Sequence, residues 1–155
     1  MYSFVLFLHS WIRWGVIIAG VMAVAMLFTP KPRSGESSAD RWGFFFITAL
    51  DLQFLLGILL YLFISPNTTA MFSDFGAAMR DPVARFWAVE HVVMMLLAVV
   101  VAHVGRVLAR KANSPASRRR RQLICFTIAL LAILAATPWP GMRAGRPLFR
   151  ISSQS

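Results

Sequence analysis

His9 and Arg13, four residues apart, interrupt an otherwise apolar run near the start of the chain. Asp51 and Gln53 interrupt a second run, and Glu90, His91 and His103 a third. An ionisable side chain in hydrocarbon is costly unless it is paired or faces a cavity, so each marks a candidate functional site. The residue types suit redox and proton chemistry. A neutral imidazole ligates iron through a ring nitrogen, carboxylates take up protons or pair with cations, and a guanidinium holds carboxylates. The chain has no HExxH or CxxC metal motif, no phosphate loop and no serine or cysteine triad, which removes support for a soluble-type hydrolase or nucleotide enzyme.

Helical geometry says which of these residues can meet. At about 1.5 Å rise per residue, His9 lies roughly one turn inside the first apolar run, and Glu90 and His91 lie at a similar depth in the third. His9 and Arg13 share a helix face. His9 and His91 are therefore expected to face each other on different helices, as axial iron ligands (metal: His9, His91). Arg13 lies just below and Glu90 beside them. A bis-histidine haem b site also needs cations near its propionates, and Arg13, Arg143 and Arg146 are the candidates. His103 follows His91 by about 18 Å and about 120° of rotation, so it belongs to another level, bonded to a backbone carbonyl or ligating a second cofactor. Asp51 is expected to pair with Arg13, with Gln53 or water bridging; Glu90 is the alternative partner. Arg13, Asp51 and Glu90 are the candidates for proton handling. Met95 shares the face of His91, and Gly57, four residues after Gln53, allows close approach of a helix or flat cofactor.

The elements that must position these residues are membrane helices. Apolar residues make up 58% of the 155, and mean hydropathy is +0.66. A soluble domain would not need four apolar runs of about 20 residues. The expected fold is an all-α, integral membrane four-helix bundle forming a single domain over 1–155. Its helices are expected over Tyr2–Phe28, Trp42–Ile64, Pro82–Val107 and Leu123–Trp139, with a basic loop over 108–122 and a tail over 140–155. The net charge of +10 reflects loop arginines and not a nucleic-acid partner. Lys31, Arg33, Arg41, Arg106, Arg110, Lys111 and Arg118 to Arg121 would lie on one side; Arg80, Arg85, Arg143, Arg146 and Arg150 on the other. The richer side is expected to be cytoplasmic, with both termini periplasmic and Arg118 to Arg121 drawn to anionic lipid.

Punctuation follows the same plan. Thr29-Pro30-Lys31-Pro32 ends the first helix. Residues from Thr69 to Arg80 suit a short interfacial helix. Asp81-Pro82 is a strong helix start, and Asn113-Ser114-Pro115 stops the third helix. All five tryptophans (Trp11, Trp14, Trp42, Trp87, Trp139) lie near expected helix ends, as interface anchors do. Cys125 has no cysteine partner and is read as packing.

Several of these motifs carry a resemblance. Leu8-His9, Arg41 before a glycine-containing second helix, a polar residue four after Trp87, and His103-Val104-Gly105-Arg106 leading into a basic loop are distantly similar to the HemJ-type protoporphyrinogen oxidases. That family has a lysine in the place of His91, and an Asn-Glu-Pro element where this chain reads Gln122-Leu123-Ile124-Cys125. Through His9-Ser10-Trp11-Ile12-Arg13-Trp14, Asp51-Leu52-Gln53 and Val89-Glu90-His91, the chain resembles more closely the small four-helix bacterial membrane proteins labelled cytochrome b-like. The resemblance implies haem or porphyrin handling in a bacterial inner membrane. Three functions are expected from these observations: a haem b protein exchanging electrons with a quinone or partner subunit, a HemJ-like oxidase, or a non-enzymatic accessory subunit of a larger respiratory or photosynthetic complex. Each is compatible with membrane lipids as surroundings and with a homo-oligomer or larger assembly.

Overall fold

The computed structural model describes residues 1–29 and 38–147. Pro30, Lys31, Pro32, Arg33 and Arg150, which entered the loop and charge expectations, lie outside the described residues. Every regular element among the described residues is helical. In chain order these are α1 (Tyr2–Met26), α2 (Ser38–Ile64), α3 (Pro66–Ser73), α4 (Phe75–Arg80), α5 (Pro82–Arg110) and α6 (Pro115–Ala136). Three of them, α1, α2 and α5, are long and apolar enough to cross a membrane.

The starts and stops have local causes. Asp81 caps α5 by accepting from the Ala84 N–H at 2.7 Å, with Pro82 at the first helical position. The segment between α2 and α5 holds two short helices, each capped in the same way. Ser65 accepts from the Thr68 N–H, and Asp74 from the Ala77 N–H. Two expected boundaries move. The second helix begins at Ser38 rather than Trp42, with Asp40 in its first turn, where an acidic residue complements the exposed N–H groups. The last helix begins at Pro115 rather than Leu123, because Ser114 caps it through the Ser117 N–H at 3.2 Å. Most of the expected basic loop is therefore helix. Arg118 reaches back from its first turns to Asp40 at 2.6 Å, and Arg121 donates to the Leu108 carbonyl.

Packing runs α1 on α2 and α5 on α6, with α1–α6 and α2–α5 contacts completing the arrangement. Small residues make the α5–α6 contact close: Ala98, Ala102, Gly105 and Ala109 on α5 are buried, as are Ala129, Ala132 and Ala136 on α6. The bulkiest fully buried side chains are Phe46 of α2 and Phe126 of α6, which pack edge to face with centroids 5.5 Å apart. In lipid the transfer part of a Phe→Ala loss vanishes, because lipid tails are as apolar as the core, and only the cavity part remains. Phe46→Ala is accordingly expected to cost about 2 kcal/mol, below the 3–5 of a soluble core. Thermal or denaturant unfolding in detergent measures it.

After Ala136 the chain turns back on itself. The Thr137 hydroxyl donates to the Ile133 carbonyl and the Trp139 indole N–H to the Leu134 carbonyl, both at 2.8 Å. The Arg146 N–H reaches the Pro138 carbonyl at 3.1 Å. Gly141, at φ +89°, makes the reversal in a conformation that a side chain would strain. The tail thus packs over one end of the helices, and Trp139 meets Trp14 of α1 at 6.2 Å.

Candidate functional site

At that end the helices enclose a cavity of about 360 Å³, within the range of small-molecule and cofactor sites. His9 and Arg13 of α1, Gln53 and Gly57 of α2, Trp87 and His91 of α5, and Arg146 of the tail all line it, in an otherwise largely apolar wall. The i, i+4 spacings of His9 with Arg13, Gln53 with Gly57, and His91 with Met95 put each pair on one face, and all six residues reach the cavity.

Two departures from α-helical winding shape the site. The last turn of α2, Leu60–Ile64, and a turn of α5, Phe86–Glu90, are π-helical, and such turns occur frequently at functional sites. They are tied together across the cavity wall: the Tyr61 hydroxyl donates to the Ala88 carbonyl at 2.5 Å. Neither Tyr61 nor the π turns were among the sequence expectations. A π turn leaves little compositional trace, and Tyr61 reads as one more apolar residue near a helix end.

His91 begins the regular part of α5 directly after the π turn. Its Nδ1 lies 2.8 Å from the carbonyl oxygen of Ala136, at the end of α6. A carbonyl only accepts, so Nδ1 carries the proton and donates. In the neutral ring Nε2 then keeps its lone pair. Phe86 and Trp87 brace the same ring, with centroids at 5.8 and 5.5 Å. On the facing helix, the Gln53 side-chain amide donates to the His9 backbone carbonyl at 2.9 Å. His9 Nδ1 and Gln53 Oε1 are both buried with no hydrogen-bond partner among the described residues. Buried polar atoms left over in this way mark a place where something else is to be bonded. Gly57 gives the His9 ring its seat: a Cβ there would lie 3.2 Å from His9 Cε1.

The cations stand at two points. The Arg13 guanidinium lies over the Trp14 ring at 5.5 Å, and that of Arg146 over Trp87 at 5.2 Å. Arg143 is exposed on the tail and lies off the cavity wall.

The carboxylates lie elsewhere, which corrects two expected pairings. Asp51 does not pair with Arg13. Two residues apart on a helix are about 160° apart, so with Gln53 facing inward Asp51 must face outward. There its Oδ2 meets His103 Nε2 at 3.5 Å, while His103 Nδ1 bonds the Val99 carbonyl at 3.1 Å. His103 therefore has the carbonyl bond expected of a histidine at that level, and it lies off the cavity wall. Glu90 likewise pairs not with Arg13 but with Arg85, at 2.7 Å. In an α-helix these two would stand about 140° apart; the π turn between them brings residues five apart onto one side.

No cluster of three or more His, Cys, Asp or Glu gathers among the described residues, as a bare metal ion would need. Two imidazoles from different helices line a largely apolar cavity with guanidinium groups at its edge, a set that could hold an iron porphyrin. No protein-family model matches the chain, and no curated protein or solved structure is detectably similar to it.

Proposed function

We propose that the chain is a haem b-binding membrane protein in which His9 and His91 ligate the iron and which exchanges single electrons with a quinone or a partner subunit. The observation that carries this reading is the His91 Nδ1–H bond to the Ala136 carbonyl on the wall of a cavity that His9 also lines. Metal-ligating histidines almost always hold their second ring nitrogen in such a bond, which fixes the tautomer and raises ligand basicity. The orphaned His9 Nδ1 beside the same cavity supports it further. When bound, haem supplies a one-electron Fe(III)/Fe(II) couple.

The chain's own residues have definite tasks in this reading. His9 and His91 hold the cofactor from two helices. Gly57 and Gln53 fix the position of His9, through the space at the ring and the bond to its carbonyl. Arg13 and Arg146 hold carboxylates at the cavity edge. The apolar lining excludes water and keeps the neutral imidazoles from competing solvent. We read α6 as a fourth crossing, which makes a four-helix bundle with both termini on the periplasmic side of a bacterial inner membrane. Seven of the ten basic residues on the opposite side lie at 106–121, and Arg41 stands at the head of α2.

Electron paramagnetic resonance of the oxidised, haem-loaded protein tests the ligation. A low-spin signal of bis-imidazole type is expected; a purely high-spin signal would contradict the assignment of two histidines. Gly57→Val adds a bulkier test. The new side chain displaces the His9 ring, so haem content is expected to fall about tenfold while helical circular dichroism is retained.

A further inference from the structure

Val83, Trp87, His91 and Met95 of α5 stand at intervals of four residues, and all of them line the cavity. On α2 the same spacing runs along the cavity wall from Gln53 through Tyr61 to Ser65, the residue that ends the helix. Plain α winding does not allow this. Each step of four residues carries a side chain about 40° round the axis, so three steps carry it about 120°, off the wall. Each series runs through a π turn, Phe86–Glu90 in α5 and Leu60–Ile64 in α2. The extra residue of such a turn takes back about 100° of the drift and keeps the series on one wall. His91 therefore owes its place to the turn directly before it.

π winding is rare and needs contacts from outside to hold it. Among the described residues two polar side-chain contacts bear on the α5 turn. One is the Arg85–Glu90 ion pair, with side chains 42% and 48% exposed, and an exposed pair of this kind contributes little. The other is the Tyr61 hydroxyl on the Ala88 carbonyl, three residues before His91. Ala88 is buried, so a carbonyl deprived of that donor is left unsatisfied, which is the costly case. The Tyr61 ring is itself seated edge-on against Phe72 of α3, with centroids 5.2 Å apart. Phe86 and Trp87, which brace the His91 ring, belong to the same turn.

We propose that Tyr61 is the positioning residue for His91: through the Ala88 carbonyl it holds the π turn that brings the His91 ring to the Ala136 carbonyl. Only the consequence for iron ligation rests on the haem reading; the positioning itself does not. Nitrogen NMR of the haem-free chain in detergent, labelled at histidine nitrogen and held at alkaline pH, tests it. The His91 signals are identified by their loss in His91→Gln. The unaltered chain is expected to show one neutral form, with the proton on Nδ1. Tyr61→Phe keeps the ring and removes only the hydroxyl. It is expected to populate the released turn about tenfold more, seen as a His91 form protonated at Nε2 and as about tenfold faster amide exchange over residues 86–91. Amides of α6 should keep their protection, and Glu90→Gln, which removes only the exposed pair, should change little. An unchanged His91 in Tyr61→Phe, or an equal change in Glu90→Gln, would overturn the proposal. Failure of Tyr61→Phe to fold, or loss of protection along the whole chain, would make Tyr61 a structural residue and overturn it too. Haem titration of the same proteins is read separately: if Tyr61→Phe releases the ring while the unaltered chain binds no haem, the positioning stands and the haem reading falls.

Discussion

His91→Ala protein is expected to lose its low-spin haem spectrum and to bind haem at least about a hundredfold more weakly. Loss of an outer partner of a ligating histidine costs 10–100-fold in metal affinity, and loss of the ligand itself removes more. The effect is large because His91 is pre-set for the task. Its ring is held by the Ala136 carbonyl at 2.8 Å and by Phe86 and Trp87, so little side-chain freedom is lost on ligation. His9→Ala should weaken binding as well, because the cavity would lose its second imidazole. A structural role for His91 would also lower haem content, by disturbing the cavity, and rescue separates the two. Free imidazole added to His91→Gly protein is expected to restore the low-spin spectrum, whereas a merely structural histidine would not be replaced by a ligand in solution. Optical spectra with and without imidazole make the comparison.

Gly105→Leu is expected to be the most damaging single change to the fold. A Cβ at position 105 would fall on the Cβ of Cys125 and come within 3.7 Å of its Cα. The Cβ of Cys125 is fixed to its backbone, so it cannot rotate away. α5 packs on α6 here, with Ala102 and Ala109 buried one turn to either side. Overpacking a core by a few methylenes costs about 1–3 kcal/mol, and prying two helices apart along their length belongs at or above the top of that range. An unfolding free energy lowered by about 3 kcal/mol in detergent is expected. Gly105→Ala should cost less but still more than the same change at Gly15, where a Cβ meets nothing within 4 Å. The two alanine variants side by side separate the steric effect from any general gain in helix propensity.

Much of the framework was legible in the chain because it depends on local rules. Apolar run length marks α1, α2 and α5 as long enough to cross a membrane. Asp81-Pro82 starts α5 through a cap that needs only the next three residues. The level of His9 and His91 follows from rise per residue, and the i, i+4 rule links His9 to Arg13 and Gln53 to Gly57. What was not legible depends on winding or on distant partners. The π turn at Phe86–Glu90 shifts the phase of α5, so a count at 3.6 residues per turn misplaces Glu90. Asp51 and Gln53 looked like one polar cluster in sequence, but a separation of two residues sends them to opposite faces. The tail has no periodicity to read. It is fixed by the Trp139, Thr137 and Arg146 bonds back to residues 133–138, and that fold-back brings Arg146 to the cavity. The early start of α6 was hidden because four successive arginines read as loop, while Ser114-Pro115 had already supplied a helix start.

The proposed haem site is the cavity lined by His9 and His91. The most direct measurement is a dithionite-reduced minus oxidised visible spectrum of the intact protein, purified in mild detergent after expression with ample haem. Sharp α and Soret bands of a b-type cytochrome, at about one haem per chain and lost in the His9→Ala, His91→Ala double variant, are the expected result. A featureless difference spectrum from folded protein, or full bands retained in the double variant, would contradict it.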